Sequence, residues 1–164
     1  MKDFNWKKFT RRINIKAPIA NIYSAWTKAS ELERWFLAKA EFFDESGNNI
    51  DRNHSVQKGS TYAWSWFLYD AVENGKITEA NGHDHIQFTF AGNCIVDILL
   101  TSLDNRVTVE LCQSNIPTDD NSKKNIRLGC EAGWSFFLVN LKSVSEGGLD
   151  LRNKDESLKG MINN

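Results

Sequence analysis

The sequence predicts an α+β fold: an antiparallel sheet with one buried face, two short helices after its first strand, and a long C-terminal helix covering that face. Three observations predict it. Between residues 60 and 114, short segments of alternating apolar character follow one another with Gly, Asn and Asp in the connections. Such a succession marks an antiparallel meander. A second stretch, IKAPIANIYSAWTKASELERWF, carries apolar residues at helical spacing after a proline. Finally, Ile126, Cys130, Gly133, Trp134, Phe137, Leu138, Leu141 and Val144 fall on one broad helical stripe before Gly147-Gly148. A helix apolar along one side needs an apolar surface to cover, and the buried face of the meander is the surface large enough.

Each element follows in order. From Phe9 to Lys16 the side chains alternate, with Phe9, Arg11, Ile13 and Ile15 on one face, which reads as a half-buried strand weakened only by Arg11. Pro18 stops the strand and opens a helix through Ile19, Ile22, Tyr23 and Trp26. Ser30 with Glu33 forms a capping box for a second helix through Leu32, Trp35 and Phe36. LAKAEFF reads as a strand and GNNIDRNHSVQKG as a polar loop. In STYAWSWFLY, residues Tyr62, Trp64, Trp66 and Leu68 share one strand face. AVENGKITEA, HIQFTFAG, NCIVDILLTS and RVTVELCQS continue the meander. IPTDDNSKK supplies N-cap candidates for the long helix, and the double glycine supplies its stop.

Composition bounds the function. A chain of 164 residues suits a single domain, expected over 1–152, with 153–164 a polar C-terminal tail. Six Trp and ten Phe give it a surplus of large flat side chains, which fill cores and line pockets. A net charge of −1 gives no electrostatic case for nucleic acid or an anionic membrane. MKDFNWKKFTRR has no apolar run that could serve as a signal peptide, and no segment approaches the roughly 18 apolar residues of a membrane span. Cys94, Cys112 and Cys130 are odd in number and lack CxxC spacing, which fits reduced thiols in a cytoplasm.

Strand, two short helices, meander and long closing helix is the order of the helix-grip fold shared by the START-like proteins, the SRPBCC superfamily. IKAPIANIYSAWTKASELERWF resembles that family's opening strand and helix pair, and GKITEANGHDHIQFTF resembles its central hairpin. LGCEAGWSFFLVNLKSVSEGGLDLR resembles its closing helix, and its order of Gly, Trp, Asn-Leu-Lys and Asp-Leu-Arg is the most specific part. Together these segments resemble the family of the C-terminal domain of the activator of the heat-shock chaperone ATPase. The resemblance implies a curved sheet with the closing helix across its concave face, often with a cavity between them. It also implies a chaperone partner, although the eukaryotic co-chaperone engages that partner through a further N-terminal domain for which 164 residues leave no room.

The candidate pocket residues are Trp35 from the second short helix, Tyr62, Trp64, Trp66, Phe88 and Phe90 from the sheet, and Gly129, Gly133, Trp134 and Phe137 from the closing helix. The glycines either border open space or allow close backbone approach, and both alternatives stand at this point. No cofactor or metal is expected, and the sequence assigns no catalytic residues. His83-Asp84-His85, with His54, lacks the remaining ligand of a zinc site, and phosphate-loop, dinucleotide and nucleophile-elbow motifs are missing. Cys112 has no histidine near it in sequence, and Asn140 reads as a satisfied amide or a helix-surface residue. Three functions remain: a non-enzymatic domain binding a small apolar ligand between sheet and helix, placed first; a chaperone-cofactor interaction domain; and a cyclase-type enzyme.

Overall fold

Residues 4–164 are described by a computed structural model; residues 1–3 of the expected 1–152 unit lie outside it. Strand β1 (Phe9–Ile15) leads through Pro18 into α1 (Ile19–Thr27) and α2 (Ala29–Trp35). Strands β2 (Lys39–Phe43), β3 (Thr61–Ser65), β4 (Val72–Ala80), β5 (His85–Phe90), β6 (Cys94–Leu103) and β7 (Arg106–Ser114) follow. A one-turn helix α3 (Asp120–Ser122) and a π-helical segment, Lys123–Leu128, then run into the closing helix α4 (Gly129–Ser145). The seven strands form one antiparallel sheet in the order β1-β7-β6-β5-β4-β3-β2. Strands β1 and β2 therefore occupy opposite edges, and α1 and α2 carry the chain from one edge to the other. This is the helix-grip α+β fold.

The alternation seen in the sequence is the alternation seen in the sheet. Cys94, Val96, Ile98 and Leu100 of β6 and Val107, Val109, Leu111 and Gln113 of β7 are buried on the concave face. The β6–β7 hairpin closes at Asp104-Asn105, both at positive φ, as the twist of a two-residue hairpin turn requires. Over this face α4 lays Trp134, Leu138 and Leu141, all buried, with Ile126, Cys130, Phe137 and Val144 packed beside them. Gly147 ends the helix at a φ of 82°. In that left-handed conformation the Gly148 N–H returns to the Ser143 carbonyl at 2.7 Å.

Four local expectations change. Arg11 does not interrupt the inner face of β1: its guanidinium reaches α4, pairing with Glu131 at 2.6 Å and donating to Ser135 Oγ at 3.1 Å. The capping box at Ser30 and Glu33 does not form. Helix α2 begins at Ala29 with Lys28 as N-cap and no side-chain cap. Glu33 instead accepts from the Ala40 N–H and pairs with Arg52, because a tertiary cation and a strand amide are available to it. Strand β3 ends at Ser65, so Trp66 and Leu68 lie beyond it, and Leu68 turns the chain at a φ of 67°. Asn140 is not a surface residue; it is fully buried and fully used.

Asn140 belongs to a polar latch built from the Asn-Leu-Lys and Asp-Leu-Arg stretches. Its Nδ2 donates to the Trp35 carbonyl at 2.7 Å and to Asp150 Oδ1 at 3.1 Å, while its Oδ1 accepts from the Leu151 N–H at 2.7 Å. Arg152, whose side chain is 4% exposed, holds Asp150 with Nε and Nη2 at 2.8 Å each. Its remaining donors reach the Leu37 and Glu33 carbonyls at 2.9 Å each. Partial burial acts to raise the Asp150 pKa, but the hydrogen bonds from Arg152, Lys154 and Asn140 outweigh it and hold the carboxyl well below the usual carboxylate range.

Because the folded carboxyl has the lower pKa, its stabilisation is fully present above the unfolded value of 3.8 and is lost as the pH falls below it. Asp150→Asn leaves a buried guanidinium without its counter-charge. It is expected to lower unfolding free energy at pH 7 by about 3 kcal/mol, the lower end for breaking a buried pair, since Asp150 is itself partly exposed. Urea unfolding at pH 7 and at pH 3 checks both points: the difference between variant and parent shrinks at the lower pH, and a difference under about 1 kcal/mol at pH 7 refutes the latch.

The tail closes mainly on itself. The Asn153 N–H donates to the Asn163 carbonyl at 2.7 Å, and Asn163 Nδ2 donates to the Leu151 carbonyl at 2.7 Å. Leu158 and Met161 remain about half exposed. Truncation after Lys154 is expected to shift the thermal midpoint by no more than about 2 °C, the equivalent of roughly 0.5–1 kcal/mol at this size. A loss of several degrees in a calorimetric scan would show that the tail docks.

Candidate ligand cleft

The interior between sheet and helices is filled by rings. Tyr62 and Trp64 of β3 stack at 3.8 Å between centroids, Trp64 meets Phe88 of β5 at 5.2 Å, and Trp26 of α1 meets Trp35 of α2 at 4.7 Å. Tyr62 lies over Gly75, its cross-strand partner on β4, where an added Cβ would come within 2.4 Å of the phenol ring. Its hydroxyl donates to the Thr89 carbonyl at 2.5 Å. Burial first, and the Glu73 charge second, push the Tyr62 pKa far above the ordinary phenol value. Tyr62 is thereby a fixed neutral donor whose proton is already in use.

At one margin of this ring stack the packing opens into a cleft of about 160 Å³. Its walls are the rings of Phe36, Trp66, Phe90, Trp134 and Phe137. Phe36 is the hub, at 5.0 Å from Trp134, 4.9 Å from Phe137 and 5.4 Å from Trp66. The closing helix contributes Gly129, Cys130 and Gly133, and Asn125 of the π-helical segment stands at the rim. A Cβ added at Gly133 meets nothing within 4 Å, and one added at Gly129 meets only the Lys124 carbonyl at 3.7 Å, an ordinary contact. The glycines therefore border open space, and that space is a cleft reaching the surface.

Of the ten pocket candidates the structure brings six to the cleft: Trp66, Phe90, Gly129, Gly133, Trp134 and Phe137. The other four, Trp35, Tyr62, Trp64 and Phe88, are packed in the core and are at most 2% exposed. Burial alone separates these two groups, and period-2 alternation carries no information about it. Phe36 reads in the sequence as the last apolar residue of the second helix, but it is the C-cap of α2, and nothing in the helical stripe marked it as a cleft wall. Cys130 lay on the helical stripe of α4 but carried no pocket signal of its own. Asn125 is brought to the rim by the π-helical segment, a distortion for which helical periodicity gives no sign.

The cleft floor is uncharged at neutral pH. Burial pushes the Cys130 thiol up to about 11, with the Gln113 amide acting weakly against it, and burial raises the Cys94 thiol as well. The histidines lie elsewhere. His54 is exposed beside Asp51, His83 sits in the turn before β5, and His85 bonds Asp97 at 2.8 Å on the outer face of the sheet. Among the described residues no group of three or more His, Cys, Asp or Glu side chains is placed to hold a metal ion. Three larger hollows lie elsewhere: one of about 380 Å³ between α1, α2 and the end of α4 beside Lys28, Glu31 and Arg34, one of about 510 Å³ along the loop carrying Asp44 and Lys58, and one of about 390 Å³ beside Tyr23, Gln57 and Gly82. Among the described residues no helix is long and apolar enough to cross a membrane.

Comparison with known proteins bears on the whole chain. Residues 16–146 match the family described as activator of Hsp90 ATPase homolog 1-like protein. Comparison with curated proteins gives no match. The fold is similar to that of the Aha1 dimer from Colwellia psychrerythraea, with 24% identity, a TM-score of 0.64, and 86% of this chain and 97% of that one covered. An Hsp90 activator from Plasmodium falciparum is similar at 18% identity and a TM-score of 0.63, covering 84% of this chain and 95% of that one. A protein in the dynemicin biosynthetic locus is similar at 17% identity and a TM-score of 0.69, covering 90% of this chain but 50% of its own. At these identities the structures establish the fold alone, while the sequence match spans most of the chain: the protein belongs to the activator of Hsp90 ATPase homolog 1-like family.

Proposed function

We propose that residues 1–152 form a single non-enzymatic binding domain that takes a small apolar group into the cleft between the sheet and α4. The observation that carries this reading is the cleft's lining of five rings around the open space at Gly133. Its volume of about 160 Å³ lies below the roughly 300–1,000 Å³ of pockets for drug-sized ligands. It compares with the ~150 Å³ apolar cavity that admits benzene. The fitting occupant is thus a single ring or a branched aliphatic group. Acid–base chemistry of the cyclase type is less well supported, because the lining offers one thiol held neutral and one amide. Cys94, Cys112 and Cys130 are all free, which supports a reducing, cytoplasmic setting.

A second reading is favoured by the family match and by the relative described as an Hsp90 activator: an interaction domain for a chaperone of that class. The two separate at one residue. Gly133→Ala is expected to stabilise by up to about 1 kcal/mol through helix propensity. Gly133→Leu is expected to fold with an unchanged or higher urea midpoint while occupying the cleft and abolishing binding of an environment-sensitive apolar dye. A parent that binds no dye, with a leucine variant destabilised by roughly 1–3 kcal/mol as in overpacking, removes the ligand-cleft reading. Stimulation of a chaperone ATPase that survives Gly133→Leu would then put the interaction reading first.

A further inference from the structure

The hollow of about 380 Å³ between α1, α2 and the end of α4 shares no residue with the cleft. Its size falls within the roughly 300–1,000 Å³ of small-molecule sites. The floor is apolar, formed by Ala25, Trp35, Leu141 and Val144. The one polar atom of the Trp35 side chain is already in use, since its indole N–H donates to the Ala25 carbonyl at 2.9 Å. The rim is polar and comes from all three helices. Asn21, Ser24 and Lys28 follow one another along one face of α1 and its C-cap, Glu31 and Arg34 stand on α2, and Ser145 ends α4.

The polar groups of this rim are left over from the fold. Among the described residues, the side chains of Asn21, Ser24, Lys28 and Ser145 make no hydrogen bond or ion pair within the protein. A hydroxyl inside a helix can return to the carbonyl four residues back. Thr27 does so to Tyr23 at 2.8 Å and Ser135 to Glu131 at 2.7 Å. Ser24 and Ser145, on the same two helices, do not, and both line the hollow. The charges are unequal as well. Arg34 Nη1 pairs with Glu31 at 2.8 Å, which occupies the one carboxylate of the rim and leaves the half-buried Lys28 ammonium without a counter-charge. The N-terminal end of α1 and the C-terminal end of α4 both meet the hollow with opposed dipoles, so the side chains set its sign. Lys28 and Arg34 against Glu31 leave one net positive charge above an apolar floor. A monoanion matches that charge, whereas a dianion exceeds it.

We propose that this hollow is a second binding site, for a small monocarboxylate with a short apolar body. Lys28 takes the carboxylate, the hydroxyls of Ser24 and Ser145 and the Asn21 amide donate to it, and the body rests on the floor at Trp35. The proposal stands independently of the ligand-cleft reading. Its test titrates three probes into ¹⁵N-labelled full-length protein by NMR: phenylacetate, its uncharged isostere phenylacetamide, and inorganic phosphate. Phenylacetate is expected to shift the backbone signals of Asn21, Ser24, Lys28 and Ser145 saturably. Phenylacetamide, which lacks the charge, and phosphate, which lacks the apolar body, are each expected to bind there about tenfold more weakly, the scale of one charge-assisted hydrogen bond at a partly exposed site. Lys28→Gln keeps the length and removes the charge. It is expected to weaken phenylacetate about tenfold and to leave phenylacetamide unchanged. If that variant does not fold, the ranking of the three probes on the parent decides. Equal binding of phenylacetate and phenylacetamide, or phosphate binding as tightly as phenylacetate, overturns the assignment. So does a folded Lys28→Gln variant that binds phenylacetate as the parent does. Shifts confined to Phe90, Gly129 and Gly133 would put the probe in the cleft instead, and the absence of any saturable shift with millimolar phenylacetate would remove the site.

Discussion

The rest of the structure depends on how the closing helix is fastened to the helix pair, and a single arginine does most of the fastening. Arg152 lies beyond α4, in a segment without regular structure, yet its guanidinium is among the most buried charges in the protein. It is tolerable there because four of its five N–H groups are answered: two by Asp150, one by the Leu37 carbonyl and one by the Glu33 carbonyl. The carbonyls are those left over at the end of α2, where a helix has no partners of its own to offer. Asn140 answers the Trp35 carbonyl in the same way from inside α4. One polar cluster therefore satisfies a helix end, neutralises a buried cation and sets the distance between α4 and α2.

The ring stack inside the sheet sets the other boundary. Trp26, Trp35, Trp64, Tyr62 and Phe88 fill the concavity of the sheet so fully that no room for a large ligand remains at its centre. Space survives only where α4 carries glycine in place of a side chain, at the margin beside Trp66 and Phe90. Leu68, strained at positive φ, turns the chain just past Trp66, and Arg152 and Lys154 lie over the face of the neighbouring Phe67 at 5.2 and 4.9 Å. A cation over an aromatic face is attracted to it. The loop that supplies one wall of the cleft is thus held by the same residues that fasten the helix.

Most of the fold was legible in the sequence because it rests on periodicity. Alternation marked the strands from β5 to β7, proline placed the first helix, and the stripe ending at Gly147 marked the closing helix. The site was legible by half. Gly133, Trp134 and Phe137 followed from a glycine beside large rings, a contrast that a sequence displays. The division of the tryptophans into core and cleft did not follow, since Trp64 and Trp66 alternate identically and differ only in that β3 ends between them. Nor did the capping role of Glu33 survive, because Arg52 and the Ala40 amide reach it from segments whose approach only the fold determines. Asn140 and Asp-Leu-Arg stood out as a pattern, but their purpose became visible only when the Trp35 and Leu37 carbonyls were in place.

Those two carbonyls flank one residue, and that residue links latch and cleft. Asn140 holds the Trp35 carbonyl and Arg152 holds the Leu37 carbonyl, so the backbone on both sides of Phe36 is fixed. Phe36 in turn is the ring that touches Trp66, Trp134 and Phe137. A shift of its backbone would move the ring that meets three of the four other walls of the cleft. The geometry of an apolar site is ordinarily soft, because dispersion contacts are individually weak and have little directionality. Here directional bonds to carbonyls on either side of the central ring supply the rigidity that the rings themselves lack. The polar cluster and the apolar cleft are in that sense one construction, and it explains why the chain continues past the glycine stop of its last helix to place an arginine.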